Sequence, residues 1–88
     1  MRRRVLVRGL VQGVGFRYAV VGRARSRGVA GWVRNRGDGA VEAAFEGEPD
    51  AVDALVRFCR QGTRGAGVES VEVVDEEPEG VRSFEVRF

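Results

Sequence analysis

Apolar residues recur along this chain with two different periods, and the switches between them mark out seven elements. Arg3 to Leu10 reads as a strand, with Val5 and Val7 on one face and Leu6 on the other. Gln12-Gly13-Val14-Gly15 breaks that alternation. From Phe16 to about Arg27 the apolar positions Phe16, Val20 and Ala24 recur every four residues, the spacing of one helical face, and Gly28 closes the helix. Ala30 to Arg36 and Gly39 to Glu46 read as strands joined by Gly37-Asp38-Gly39, glycines suited to the positive φ angles of a tight hairpin. A second helix starts at Pro49, with Glu48, Asp50 and Asp53 near its beginning and Arg57 and Arg60 near its end, which complements the helix dipole. Val52, Leu55, Val56 and Cys59 form its buried stripe. After the glycine-rich connection Gly62 to Gly67, Val68 to Asp75 and Ser83 to Phe88 read as two more strands.

The order strand, helix, two strands, helix, strand and short final strand predicts an α+β, ferredoxin-like split β-α-β sandwich. Two helices should cover one face of a mainly antiparallel sheet of four to five strands. At 88 residues the chain fits a single domain, residues 1–88, whose site must lie at or near the surface. A hydrophobic fraction of 43% and a charged fraction of 32% are those of a globular protein. No apolar run approaches the roughly 20 residues that span a bilayer, and Val5-Leu6-Val7 is too short for a signal-peptide core. A cytoplasmic monomer without membrane partners is expected.

Charge is distributed unevenly. Residues 1–44 carry ten Arg and two acids, whereas residues 45–88 carry five Arg and eleven acids, so the basic half is expected to face an anion. The chain has no histidine, and the single thiol of Cys59, on an apolar helix stripe, points to a core residue rather than a nucleophile or a zinc ligand. Ser26, Thr63, Ser70 and Ser83 have no base partner in the sequence. Any enzyme built here must manage with little proton transfer.

Two segments can supply chemistry. Gly9 to Arg17 leaves a strand, passes through a glycine loop and enters a helix, a geometry that points backbone N–H groups and a helix dipole at one anion, with Arg17 adding a two-oxygen grip. The other is Gly31-Trp32-Val33-Arg34-Asn35. Asn35 is the only asparagine of the chain, and strand alternation sets it with Gly31 and Val33, opposite Trp32 and Arg34. Taken alone, the first segment suits any turn, and Asn35 before Gly37 and Asp38 suits any hairpin.

Together they resemble the acylphosphatase family. Val7-Arg8-Gly9-Leu10-Val11-Gln12-Gly13-Val14-Gly15-Phe16-Arg17 carries one family motif, and Gly31-Trp32-Val33-Arg34-Asn35, followed by Gly39, Val41 and Gly47, carries the other. The resemblance implies hydrolysis of the carboxyl-phosphate bond of small acyl phosphates, releasing inorganic phosphate. It assigns phosphate binding to Gln12, Gly13, Val14, Gly15, Phe16 and Arg17, and orientation of the attacking water to Asn35. No metal or organic cofactor is implied. A nucleic-acid-binding or non-catalytic anion-binding module of the same fold is the alternative, but base-stacking aromatics are missing from Arg3 to Leu10, and the third strand offers only Phe45.

Overall fold

A computed structural model describes residues 1–88. The elements are β1 (Arg2–Leu10), α1 (Phe16–Ser26), β2 (Ala30–Asn35), β3 (Val41–Glu46), α2 (Pro49–Gln61), β4 (Gly67–Glu76) and β5 (Phe84–Arg87). They build one five-stranded sheet in the order β4-β1-β3-β2-β5, antiparallel except where β5 runs parallel to β2. β1 and β2 lie parallel with β3 between them, and β3 and β4 lie parallel with β1 between them. That double interleaving is the split β-α-β arrangement expected from the element order.

Both helices pack on one face. Val5, Val7, Val33, Val41, Ala43 and Phe45 turn toward them, as the strand period of two requires. From α1 come Phe16, Val20, Val21 and Ala24, and from α2 come Val52, Leu55, Val56, Phe58 and Cys59. Phe16 is fully buried against Phe58, ring centroids 5.9 Å apart, which fixes the start of α1 to α2. Burial of such a side chain contributes about 1.5–3 kcal/mol. The expected stripe on α2 is therefore correct, with Phe58 added to it.

The hairpin differs from expectation. β3 begins at Val41 rather than Gly39, and of the two turn glycines only Gly39 has positive φ, at 90°. The turn is instead shaped from Asp38, whose carboxylate accepts the Ala40 N–H at 3.2 Å while Gly39 N–H donates to the Arg36 carbonyl. At Gly31, φ is 133° and an added Cβ would run into the Ala44 carbonyl oxygen, so β2 and β3 approach there at a distance only glycine allows.

The charge asymmetry resolves largely within the chain. The basic half faces the acidic half of its own chain. Arg2, only 4% exposed, meets Glu46, Glu76 and Glu79, and Arg3 meets Asp53 and Asp75, whereas Arg34 meets Glu42 of its own half. β1 is flanked by β3 and β4, so a basic strand lies between two acidic ones and its pairs with Glu46, Asp75 and Glu76 form across the ladder, while Asp53 reaches Arg3 from α2 and Glu79 reaches Arg2 from beyond β4.

Candidate active site

The parallel relation of β1 and β2 brings their C-terminal ends to the same edge of the sheet. Val41, at the start of β3, pairs with Val7 on one side and Asn35 on the other. The glycine loop after β1 and the side chain that ends β2 thus meet at one place. A cavity of about 270 Å³ opens between them, lined by Gly13, Gly15, Phe16 and Arg17 from the loop and helix start, by Tyr18, and by Asn35.

The loop presents free donors. No backbone N–H from Gln12 to Gly15 donates a hydrogen bond within the protein. Phe16, Arg17 and Tyr18 then open α1 with no preceding turn to accept from them and no side-chain cap. Gly15, the N-cap, lies in the left-handed region at φ 76° and ψ 13°, and the first helical bond runs from Ala19 N–H to its carbonyl. A residue with Cβ would be strained there, whereas glycine lets the chain enter the helix with its amides turned to the cavity. No acid occupies the first turn of α1.

Arg17 forms no ion pair with any acid of the protein, and its guanidinium stands 5.6 Å from the centroid of the Phe88 ring. The neighbouring arginines are occupied: Arg8 and Arg36 both pair with Asp38, at 3.4 and 3.3 Å. The Ala40 amide and these two arginines hold the Asp38 carboxyl below its ordinary range. Arg17 is therefore the cation at this cavity with its charge uncommitted.

Asn35 is half-buried, and its Oδ1 is enclosed with no donor among the protein groups, the one buried side-chain polar atom in that condition. Buried acceptors are ordinarily paired, and this one, at the wall of a cavity, is left open to a donor that enters it. Asn35 sits on the helix side of the sheet with Val33, as strand alternation predicts. Cys59 is fully buried in the core, and desolvation pushes its thiol up to about 12, which takes it out of the chemistry as expected.

Of the residues expected to bind phosphate, Gly13, Gly15, Phe16 and Arg17 line the cavity, whereas Gln12 and Val14 do not. Val14 packs against the core, and its carbonyl accepts from Thr63 Oγ1 at 3.3 Å. The Gln12 side chain donates from Nε2 to the carbonyls of Arg36 at 2.7 Å and Ala40 at 3.0 Å. These fastenings by Gln12 and Thr63 are absent from the reading of the sequence. Their partners lie 24 to 49 positions away, with no local signal to find them.

A ferredoxin-like sandwich that gathers uncapped amides, one free arginine and one carboxamide into a single cavity is the framework of a small phosphoryl-handling hydrolase. The profile of the Acylphosphatase family matches residues 3–86. An acylphosphatase of Rubrobacter xylanophilus is 59% identical over 88 residues, covering 98% of this chain and 79% of that protein. One of a Synechococcus species is 53% identical over 87 residues, covering 99% of this chain and 93% of that protein. The crystal structure of acylphosphatase from Bacillus subtilis superposes with a TM-score of 0.93 at 39% identity, over 99% of this chain and 98% of the other. The chain belongs to the acylphosphatase family. Acylphosphatases are hydrolases of acyl phosphates, and membership favours that function over a nucleic-acid-binding or non-catalytic module.

Proposed function

We propose that this chain hydrolyses the carboxyl-phosphate bond of small acyl phosphates, with the backbone N–H groups from Gln12 to Arg17 and the Arg17 guanidinium holding the phosphate and Asn35 orienting the water. The observation that carries this reading is the meeting, in one cavity, of undonated amides, an unpaired arginine and a buried unpaired carboxamide oxygen.

Each group has a distinct task. The amides and the helix dipole suit the equatorial oxygens, where charge accumulates in phosphoryl transfer, and the planar Arg17 fork spans two of them. Asn35 Oδ1 accepts from an O–H of the attacking water, which leaves an oxygen lone pair directed at phosphorus. As the new P–O bond forms, the bond to the acyl oxygen breaks, the carboxylate leaves with its electron pair, and the water proton passes to the phosphate product or to solvent. A carboxylate departs without a general acid, which suits a chain with no histidine. Catalysis rests on positioning and electrostatics.

No metal or organic cofactor enters this scheme. The proposed working form is a cytoplasmic monomer made of one acylphosphatase-like unit, residues 1–88. No helix is long and apolar enough to cross a membrane. On the sheet face away from the helices, arginines alternate with acids, and Phe45 is buried in the core rather than offered for base stacking. This supports a small-molecule partner over nucleic acid.

The direct test is turnover of an aromatic acyl phosphate beside a filter-binding assay for RNA. Release of phosphate without RNA retention is expected. RNA retention without turnover would reverse the assignment.

A further inference from the structure

Building on the proposed hydrolase reading, we propose that Gln12 is a positioning residue whose side-chain amide sets the spacing between the phosphate loop and Asn35. Its Nε2 donates to two carbonyl oxygens, of Arg36 and Ala40, at 2.7 and 3.0 Å. Since both neighbours are acceptors, only the nitrogen end of the carboxamide can face them, and both of its N–H groups are used.

These two carbonyls are not independent points. Arg36 N–H donates to the Ala40 carbonyl at 2.8 Å, so Arg36 and Ala40 close the hairpin loop between β2 and β3. Gln12 grips both ends of that loop. Asn35 is the residue immediately before Arg36, and its strand position is fixed by pairing with Val41, immediately after Ala40. The clamp therefore holds the two residues that adjoin Asn35 and its partner on the turn side.

On the loop side, the backbone N–H groups of Gln12 to Gly15 are committed to nothing in the protein. The loop is fastened to α2 and its exit through Phe16 against Phe58 and through Thr63 Oγ1 on the Val14 carbonyl. Neither of these reaches the hairpin. The β1–β3 ladder stops at Val7 and Val41, four residues short of the loop, and the remaining side-chain link, Arg8 to Asp38, is an exposed pair at 3.4 Å that constrains geometry weakly. The Gln12 amide is thus the partly buried hydrogen-bonded tie between the segment that would hold phosphorus and the segment that would hold the water. In-line attack needs those two held to a fraction of an ångström.

The test compares Gln12→Met, of the same length without donors, and Gln12→Glu, of the same shape with an ionised carboxylate facing two carbonyls. Each is made alone and with Asn35→Ala. On an aromatic acyl phosphate, kcat is expected to fall about 10- to 100-fold for either single variant, the scale of a small misplacement. Inhibition by inorganic phosphate should shift by no more than about threefold, because the amide cradle and Arg17 remain. Combined with Asn35→Ala, Gln12→Met should cost less than about threefold further, as for groups acting as one unit. Between about pH 8 and about pH 5, Gln12→Glu should regain turnover as its carboxyl takes up a proton and becomes a donor, while Gln12→Met stays flat. Unchanged kcat, parallel loss of kcat and phosphate affinity, multiplicative losses with Asn35→Ala, or no recovery of Gln12→Glu on acidification would each overturn the clamp. Wild type without turnover would remove the hydrolase reading itself and the clamp with it, and the wild-type control distinguishes that failure from the others.

Discussion

Val7 and Asn35 flank Val41 on opposite sides of the same strand, so Val7, three residues before the end of β1, and Asn35, the last residue of β2, lie two strand spacings apart. Strands in register sit roughly 4.8 Å apart, which puts the two backbones about 10 Å from each other. β3 fills that interval, so the cavity forms where the glycine loop that follows β1 comes together with the Asn35 side chain. Asn35 has its side chain at the cavity because Val33, two residues earlier, faces the core.

In the proposed scheme Arg17 meets the phosphate both before and during reaction. Arg17→Ala should therefore raise KM and lower kcat, with kcat/KM falling about 10²- to 10³-fold as for loss of one oxyanion-stabilising donor. Inhibition by inorganic phosphate should weaken in parallel. Arg17→Lys should not restore wild-type activity, since an ammonium cannot span two oxygens in a plane. Steady-state kinetics with phosphate as competitor checks all three.

Asn35 touches the water alone in this scheme. Asn35→Ala should lower kcat on the order of 10²-fold while phosphate inhibition stays close to wild type. Circular dichroism must show the variant folded. A folded variant with normal turnover would return Asn35 to the role of a hairpin residue.

The pH profile follows from what does not titrate. With no histidine in the chain, and burial holding Cys59 at about 12, the maximal rate should be flat from about pH 5 to about pH 8 once substrate ionisation is accounted for. Alkylation of native Cys59 should be slow, and a chelator should leave activity intact. An inflection near pH 6.5, the ordinary histidine value, that persists across substrates of different ionisation would count against the scheme.

Glu46 links acid to stability. Its carboxylate accepts the N–H groups of Glu79 and Gly80, each at 2.8 Å, and pairs with the buried Arg2 at 3.2 Å, contacts that lower its pKa. Folded Glu46 therefore binds protons less readily than unfolded Glu46. The stability it contributes is complete above the ordinary carboxylate range and is lost as pH falls through its lowered folded value. Glu46→Gln should destabilise the fold by about 1–3 kcal/mol at neutral pH, the scale of hydrogen bonds to a charged group, and the gap to wild type should close on acidification. Urea denaturation at several pH values measures it.

The sequence by itself determined the elements, because each depends on neighbours along the chain. Val5 and Val7 against Leu6, the stripe Val52-Leu55-Val56-Cys59, and the glycines between Gln12 and Phe16 act through strand or helix periodicity and local φ angles. The glycine loop entering α1 and the side of the sheet taken by Asn35 were legible for the same reason. Where local rules left choices, the reading slipped: the hairpin needed positive φ only at Gly39, because the Asp38 carboxylate on the Ala40 amide supplied the rest of the turn. Only the tertiary structure decided what the basic half was for, since the partners of Arg2 and Arg3 lie up to 74 positions away and become neighbours when β1 inserts between β3 and β4. The same holds for Gln12, whose two carbonyl partners come within reach once parallel β1 and β2 end at a common edge. Contacts of that kind depend on sheet order, a property of the whole chain that no segment carries alone.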